Sequence, residues 1–144
     1  MHVELHPRFA DTPEGQTAKA LTSACVHCGF CLETCPTYLD NRDERDSPRG
    51  RIYLIKNLLE SGSATEQTRL HLDRCLTCRS CETTCPSGME YGQLVDIGRG
   101  IIEQDLPRNS MDAGLRWLLR FVFTSPRLLR ATLALGQTLR PLLP

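Results

Sequence analysis

The sequence predicts an all-α protein, and three observations carry that prediction. Serine-proline pairs at 47–48 and 125–126 put a capping hydroxyl ahead of a proline, the residue best suited to the first helical position. Ile52, Ile55, Leu58 and Leu59 recur at helical spacing and give one apolar face. Between the two cysteine-rich segments there are no short valine- and isoleucine-rich runs of the kind that form strands.

Taken in order, residues 1 to 14 form an N-terminal arm without the basic and apolar regions of a secretory signal, so cytoplasmic synthesis is expected. GQTAKALTSA (15–24) reads as a short helix delivering the first cysteine segment, CVHCGFCLETCP (25–36). NRDERD (41–46) mixes charges and reads as a solvated loop leading to Ser47, the cap of a helix that runs from Pro48 to a stop at Gly62. Ser63 and Glu66 read as a capping box opening a second helix, through Leu70 to Arg74, which delivers CLTCRSCETTCP (75–86). Tyr91, Leu94, Val95, Ile101 and Ile102 mark a helix that ends before Pro107, although Gly92, Gly98 and Gly100 oppose it. In the tail, Ser110 is the expected cap, with Asp112 favourable at the positive end of the helix dipole. Ser125 and Pro126 start a last helix, ending before Pro141.

The 144 residues carry 17 basic and 17 acidic side chains, and this zero net charge argues against nucleic acid as a partner. The distribution is uneven. Five arginines (Arg116, Arg120, Arg127, Arg130, Arg140) and no acid lie beyond residue 112, giving a basic tail on an acidic body. Arginine interrupts every apolar run there, so no stretch reaches the roughly 20 residues that span a bilayer. Leu115, Trp117, Leu118, Phe121 and Val122 beside Arg116 and Arg120 allow an interfacial helix at anionic lipid, or a helix packed against protein, which is the commoner fate of such a face.

All eight cysteines fall in the two segments, which align at an offset of fifty with a shared threonine (Thr34, Thr84) and closing proline. This is an internal duplication around a 39-residue insert. Without an export signal four disulfides are disfavoured, and the crowding of thiols within each segment points to metal. Zinc usually takes two separated CxxC pairs. A third cysteine after only two more residues, then CP, suits a cubane [4Fe-4S] cluster, in which three cysteines hold one cluster and the fourth reaches the other. The expected sets are Cys25, Cys28, Cys31 and Cys85 for one cluster, and Cys75, Cys78, Cys81 and Cys35 for the second. Proline after Cys35 and Cys85 removes a donor and biases each cysteine toward extended backbone, freeing its thiolate to leave the loop.

Arg49, Arg51, Arg74 and Arg79 lie near ligands in sequence and are candidates to raise cluster potentials, against the plain reading of solvated surface arginines. His27 offers a hydrogen bond or a proton, or is an ordinary loop residue. Gly29 and Gly88 are expected to permit turns near a cluster. No nucleophile-base pair or phosphate-binding glycine loop is present, so substrate chemistry belongs to another chain.

Residues 15 to about 105 resemble an α-helical ferredoxin domain, the kind found in iron-sulfur subunits of succinate dehydrogenase, heterodisulfide reductase and anaerobic glycerol-3-phosphate dehydrogenase. CVHCGFCLETCPTYLDNRDERDSPRGRIYLIKNLLESG and LDRCLTCRSCETTCPSGMEYGQLVDIGR are similar to the iron-sulfur subunits of bacterial glycolate oxidase (glycolate dehydrogenase). That resemblance implies a two-cluster domain at 15–105 and a helical tail at 106–144. It implies partner subunits carrying FAD, oxidation of glycolate to glyoxylate in those partners, and delivery of electrons toward a quinone at the inner face of the cell membrane. Family members continue into a long region with two CCG repeats, whereas no cysteine follows Cys85 here, so the chain is expected to be a fragment or a truncated product. A lactate, glycerol-3-phosphate or heterodisulfide complex is the rival within the class. A zinc-stabilised interaction module is the rival outside it.

Overall fold

The computed structural model describes residues 1–140, and every regular element among them is helical. Two units divide between Leu106 and Pro107. The first contains α1 (Pro7–Ala10), α2 (Pro13–Ala24), α3 (Pro36–Asn41), a 3-10 turn at Glu44–Asp46, α4 (Pro48–Ser61), α5 (Glu66–Asp73), α6 (Ser80–Thr83) and α7 (Tyr91–Asp105). The second contains α8 (Ser110–Thr124) and α9 (Pro126–Leu139).

Local chemistry explains the starts and stops. Helices α1, α2, α3, α4 and α9 each begin on a proline, whose missing amide would have had no partner there. Ser47 Oγ accepts the Gly50 amide at 2.9 Å, and Gly62 ends α4 in the left-handed conformation (φ 76°), as expected from the sequence. Two caps differ from expectation. The start of α5 is held by Thr65, whose hydroxyl accepts the Thr68 amide at 3.1 Å, so Glu66 is the first helical residue and no capping box with Ser63 forms. Likewise Asn109, rather than Ser110, caps α8 by accepting the Met111 amide. In both cases a neighbouring residue able to cap lies one or two positions away, within the usual uncertainty of a helix boundary read from sequence. The expected stop at Pro141 lies outside the described residues.

The core of the first unit lies where α4 packs on α7, α5 and α2. Ile52, Ile55, Leu58 and Leu59 of α4 are buried with Leu94, Val95, Ile101 and Ile102 of α7 and Leu72 of α5. Gly98 makes this approach possible, since a Cβ there would lie 3.0 Å from Ile55 and 3.1 Å from Leu72. Residues 1 to 14 join the same core through Val3 and Phe9, and the His6 amide donates to the Leu59 carbonyl at 2.9 Å. Arg8 then grips Asp105 through both guanidinium nitrogens, at 2.8 and 2.5 Å.

Two glycines of this unit should respond oppositely to alanine. At Gly50 the added Cβ would meet the Glu44 carbonyl oxygen at 1.9 Å, a backbone collision, whereas at exposed Gly100 it would meet nothing within 4 Å. Gly50→Ala is expected to destabilise by about 1–3 kcal/mol or more. Gly100→Ala should stabilise by up to about 1 kcal/mol by removing unfolded-state freedom within a helix. Thermal melts of the two variants check the signs.

In the second unit α8 has no buried residue. Trp117 and Phe121, one turn apart, stack with centroids 5.6 Å apart, and both remain exposed. No helix among the described residues is long and apolar enough to cross a membrane.

Candidate metal centres

The duplication extends from the cysteines to the backbone. His27 and Gly29 in the first segment, and Thr77 and Arg79 in the second, all have positive φ (55°, 86°, 55° and 59°), so corresponding positions of both loops turn left-handed. Only Gly29 does so without strain; a branched threonine and an arginine held there mark a conformation imposed by the surroundings. Left-handed residues at alternate positions are a feature of backbone nests, whose amides gather on one concave side and suit an anionic group such as an iron-sulfur centre.

Two recesses lie beside these loops. The first is lined by Cys25, Cys28, Cys31 and Cys85, the second by Cys35, Cys75 and Cys78, and Cys81 borders both. Pro48, at the start of α4, and Tyr91, at the start of α7, also border both, so these residues form the wall between them. Four sulfurs about 2.3 Å from a single zinc would all lie close together. Among the described residues, the group of three potential ligands with all donor atoms within 4.8 Å is Asp43, Asp46 and His71, which includes no cysteine. The thiols are therefore spread around a space rather than gathered on a point, and they fit a polynuclear group.

Burial and neighbours separate the thiols chemically. Cys81 is pushed up to about 12, first by burial and then by the nearby thiols of Cys31 and Cys75. Burial also raises Cys31, against a hydrogen bond from the Arg49 amide. Cys78 is lowered by the amide and hydroxyl of Ser80. For Cys85, burial raises the pKa, but the Ser87 hydroxyl and the amides of Ser87, Gly88 and Met89 outweigh it and the net shift is downward. Coordination to a metal deprotonates such thiols outright, so the raised values of Cys31 and Cys81 belong to the bare side chains. Tyr91 is buried, and burial, then the Cys75 thiol, hold its hydroxyl well above its ordinary pKa. It remains a donor, to Cys75 Sγ at 3.6 Å.

The four arginines singled out from the sequence take different places. Arg49 lines the first recess and pairs with Glu44 at 2.7 Å, and Arg79 lines the second. Arg51 is 1% exposed and donates from one terminal nitrogen toward Cys35 Sγ at 3.9 Å, so the surface reading fails for it. Arg74 instead bonds Asp46 at 2.9 Å. His27 lines the first recess, with Nε2 buried and without a hydrogen-bond partner.

The reading of residues 41 to 46 as a solvated loop is corrected by Asp46, which is fully buried. Its carboxylate accepts from His71 Nδ1 at 2.9 Å, Arg74 at 2.9 Å, Asn41 at 3.2 Å and Arg51 at 3.3 Å. Arg51 continues to Thr37 Oγ1 at 3.0 Å and to the His71 carbonyl at 2.7 Å. An acid flanked by arginines in a polar run looks solvated in one dimension, because the partners that bury it lie 25 and 28 residues away. Arg99 was also not legible: it holds the carbonyls of Leu72 and Cys75 at 2.8 and 2.7 Å and the Thr77 hydroxyl at 3.0 Å, bracing the second loop.

Comparison with known proteins agrees with this chemistry. Residues 24–90 match the family described as 4Fe-4S dicluster domain. The glycolate oxidase iron-sulfur subunit of Escherichia coli (strain K12) is 51% identical over 144 residues, covering 100% of this chain and 35% of that protein. The probable glycolate oxidase iron-sulfur subunit of Bacillus subtilis (strain 168) is 47% identical over 83 residues, 56% of this chain and 19% of that protein. The succinate dehydrogenase iron-sulfur subunit of Paracoccus denitrificans is 31% identical over 78 residues, 49% of this chain and 30% of that protein. The chain thus spans about a third or less of the length of these relatives. No solved structure matches it significantly. With its eight cysteines around two recesses, the chain matches the 4Fe-4S dicluster domain over residues 24–90, and along its whole length it is similar to part of the iron-sulfur subunit of glycolate oxidase from Escherichia coli.

Proposed function

We propose that this chain is the electron-transfer part of an iron-sulfur subunit in a flavin-dependent glycolate dehydrogenase complex. One [4Fe-4S] cluster is held by Cys25, Cys28, Cys31 and Cys85, and a second by Cys75, Cys78, Cys81 and Cys35. The observation that carries the reading is the make-up of the recesses: each combines three thiols of one repeat with the last cysteine of the other. When bound, each cluster supplies a one-electron couple, which suits a relay between a two-electron flavin and a quinone. The chain's own residues position the sulfurs, exclude water through Ile52, Met89 and Tyr91, and set the local charge. Glycolate as substrate is supported by the similarity to the E. coli and B. subtilis glycolate oxidase subunits; FAD in partner subunits and a quinone as eventual acceptor are part of the same proposal. A cytoplasmic position, peripheral to the inner face of the membrane, belongs to the same proposal, with the apolar faces of the tail covered by protein.

Anaerobic purification with metal and sulfide analysis tests this directly. The expected result is a brown protein with about eight irons and eight acid-labile sulfides per chain, as two cubanes require, and a cubane EPR signal on reduction. A colourless protein with stoichiometric zinc would replace the reading with a zinc-stabilised module. Co-purification with flavin-bearing subunits that reduce a dye on glycolate, rather than on lactate or glycerol-3-phosphate, tests the choice of substrate.

A further inference from the structure

The two repeats are alike in their cysteines and unlike in what surrounds them. One donor is shared: Thr37 Oγ1 lies 3.3 Å from Cys35 Sγ, and at the corresponding place Ser87 Oγ lies 3.2 Å from Cys85 Sγ. These contributions largely cancel in a comparison. The remaining side-chain donors fall on one set. Tyr91 donates to Cys75 Sγ, and the position fifty residues earlier is Asn41, which is turned to Asp46 instead. Arg51 directs a buried guanidinium at Cys35 Sγ. The first recess has Arg49, already paired with Glu44, and His27, whose buried Nε2 touches no acceptor.

Reduction adds negative charge to a centre, and hydrogen bonds or cations at its sulfurs stabilise that charge. Accordingly, we propose that the centre held by Cys35, Cys75, Cys78 and Cys81 has the higher reduction potential, so that electrons arrive at the Cys25, Cys28, Cys31, Cys85 centre and leave from the other. The inference rests on the two-cluster reading and adds a direction to it. Cys25, Cys28, Cys31 and Cys85 would hold the centre that takes single electrons from a reduced flavin, and Cys35, Cys75, Cys78 and Cys81 the centre that would hand each of them on to the acceptor. Tyr91 and Arg51 are positioning residues in this scheme. They touch ligand sulfurs and take no proton or electron themselves.

Tyr91→Phe is the discriminating variant because it deletes one hydroxyl and keeps the buried ring. Arg51→Lys is its partner, keeping the charge while withdrawing the terminal nitrogen that points at Cys35 Sγ. Both are made in the 144-residue chain with clusters in place, and an anaerobic reductive titration followed by EPR yields two one-electron midpoints. The expected result is that the higher midpoint falls and the lower stays. The fall should be up to about tenfold in the reduction equilibrium, where tenfold corresponds to 59 mV for one electron. A fall of the lower midpoint, an equal fall of both, or no movement in either variant would overturn the inference. Iron and sulfide counts separate the two levels: about eight irons with unmoved midpoints defeats the direction alone, and an iron-free wild-type chain defeats the two-cluster reading beneath it.

Discussion

Removing iron from the purified chain with a chelator should unfold residues 1 to 106, with loss of most helical circular dichroism and of protease resistance. The reason is the way each proposed ligand set draws on both repeats. Cys35 and Cys85 leave their own segments for the opposite recess, so each centre ties the start of the chain to its middle. Without metal, Cys81 and Cys35 are buried thiols with nothing to coordinate. Structural metal sites contribute on the order of 10 kcal/mol or more to folding. An entire small domain is stable by only about 5–15 kcal/mol, so the metal term is comparable with the whole. An apoprotein that kept its helicity and a cooperative melt at the same temperature would contradict this.

Asp46→Ala is expected to be the most damaging single substitution outside the cysteines, at about 3–5 kcal/mol, because it leaves buried Arg51 without its counter-charge. Asp46→Asn should cost less, since an amide still fills the space and accepts one hydrogen bond. The pH dependence has a definite sign. Burial raises the Asp46 pKa, but hydrogen bonds from His71 and Arg74 outweigh it, and the carboxyl is held below its ordinary value. A lowered folded-state pKa means that the contribution is complete above the unfolded value of about 3.9 and disappears as pH falls through the folded one. Chemical denaturation of wild type and Asp46→Asn at matched pH checks this. The gap should be constant near neutrality and close only below about pH 4, and taking a difference removes the acid sensitivity common to both proteins. A gap that closed between pH 7 and 5 would assign the stabilisation to another group.

Elements governed by their own neighbours in sequence were legible. Helix α4 could be placed from Ser47, Pro48 and Gly62 because a cap, a fixed φ and a left-handed stop act within one turn. The caps of α5 and α8 were displaced because serine, threonine and asparagine are nearly interchangeable there, so the sequence offers several candidates within one or two positions. Gly98 looked like a defect in α7 until Ile55 and Leu72 were seen to need its missing side chain. Tyr91 read as one more core residue, since periodicity records that a face is buried and not what its hydroxyl meets.

From the sequence alone came the chemistry: eight thiols at paired spacings, a duplication, a helical setting and a proline behind each crossing cysteine are all short-range or compositional facts. Tertiary structure decided the inequivalence of the two repeats. Arg51 and Cys35 are sixteen residues apart, Tyr91 and Cys75 also sixteen, and Asp46 meets His71 across twenty-five. Whether such a group faces solvent or a sulfur depends on how α4, α5 and α7 close on one another, and a buried charge or hydroxyl acquires its strength only once that closure has excluded water.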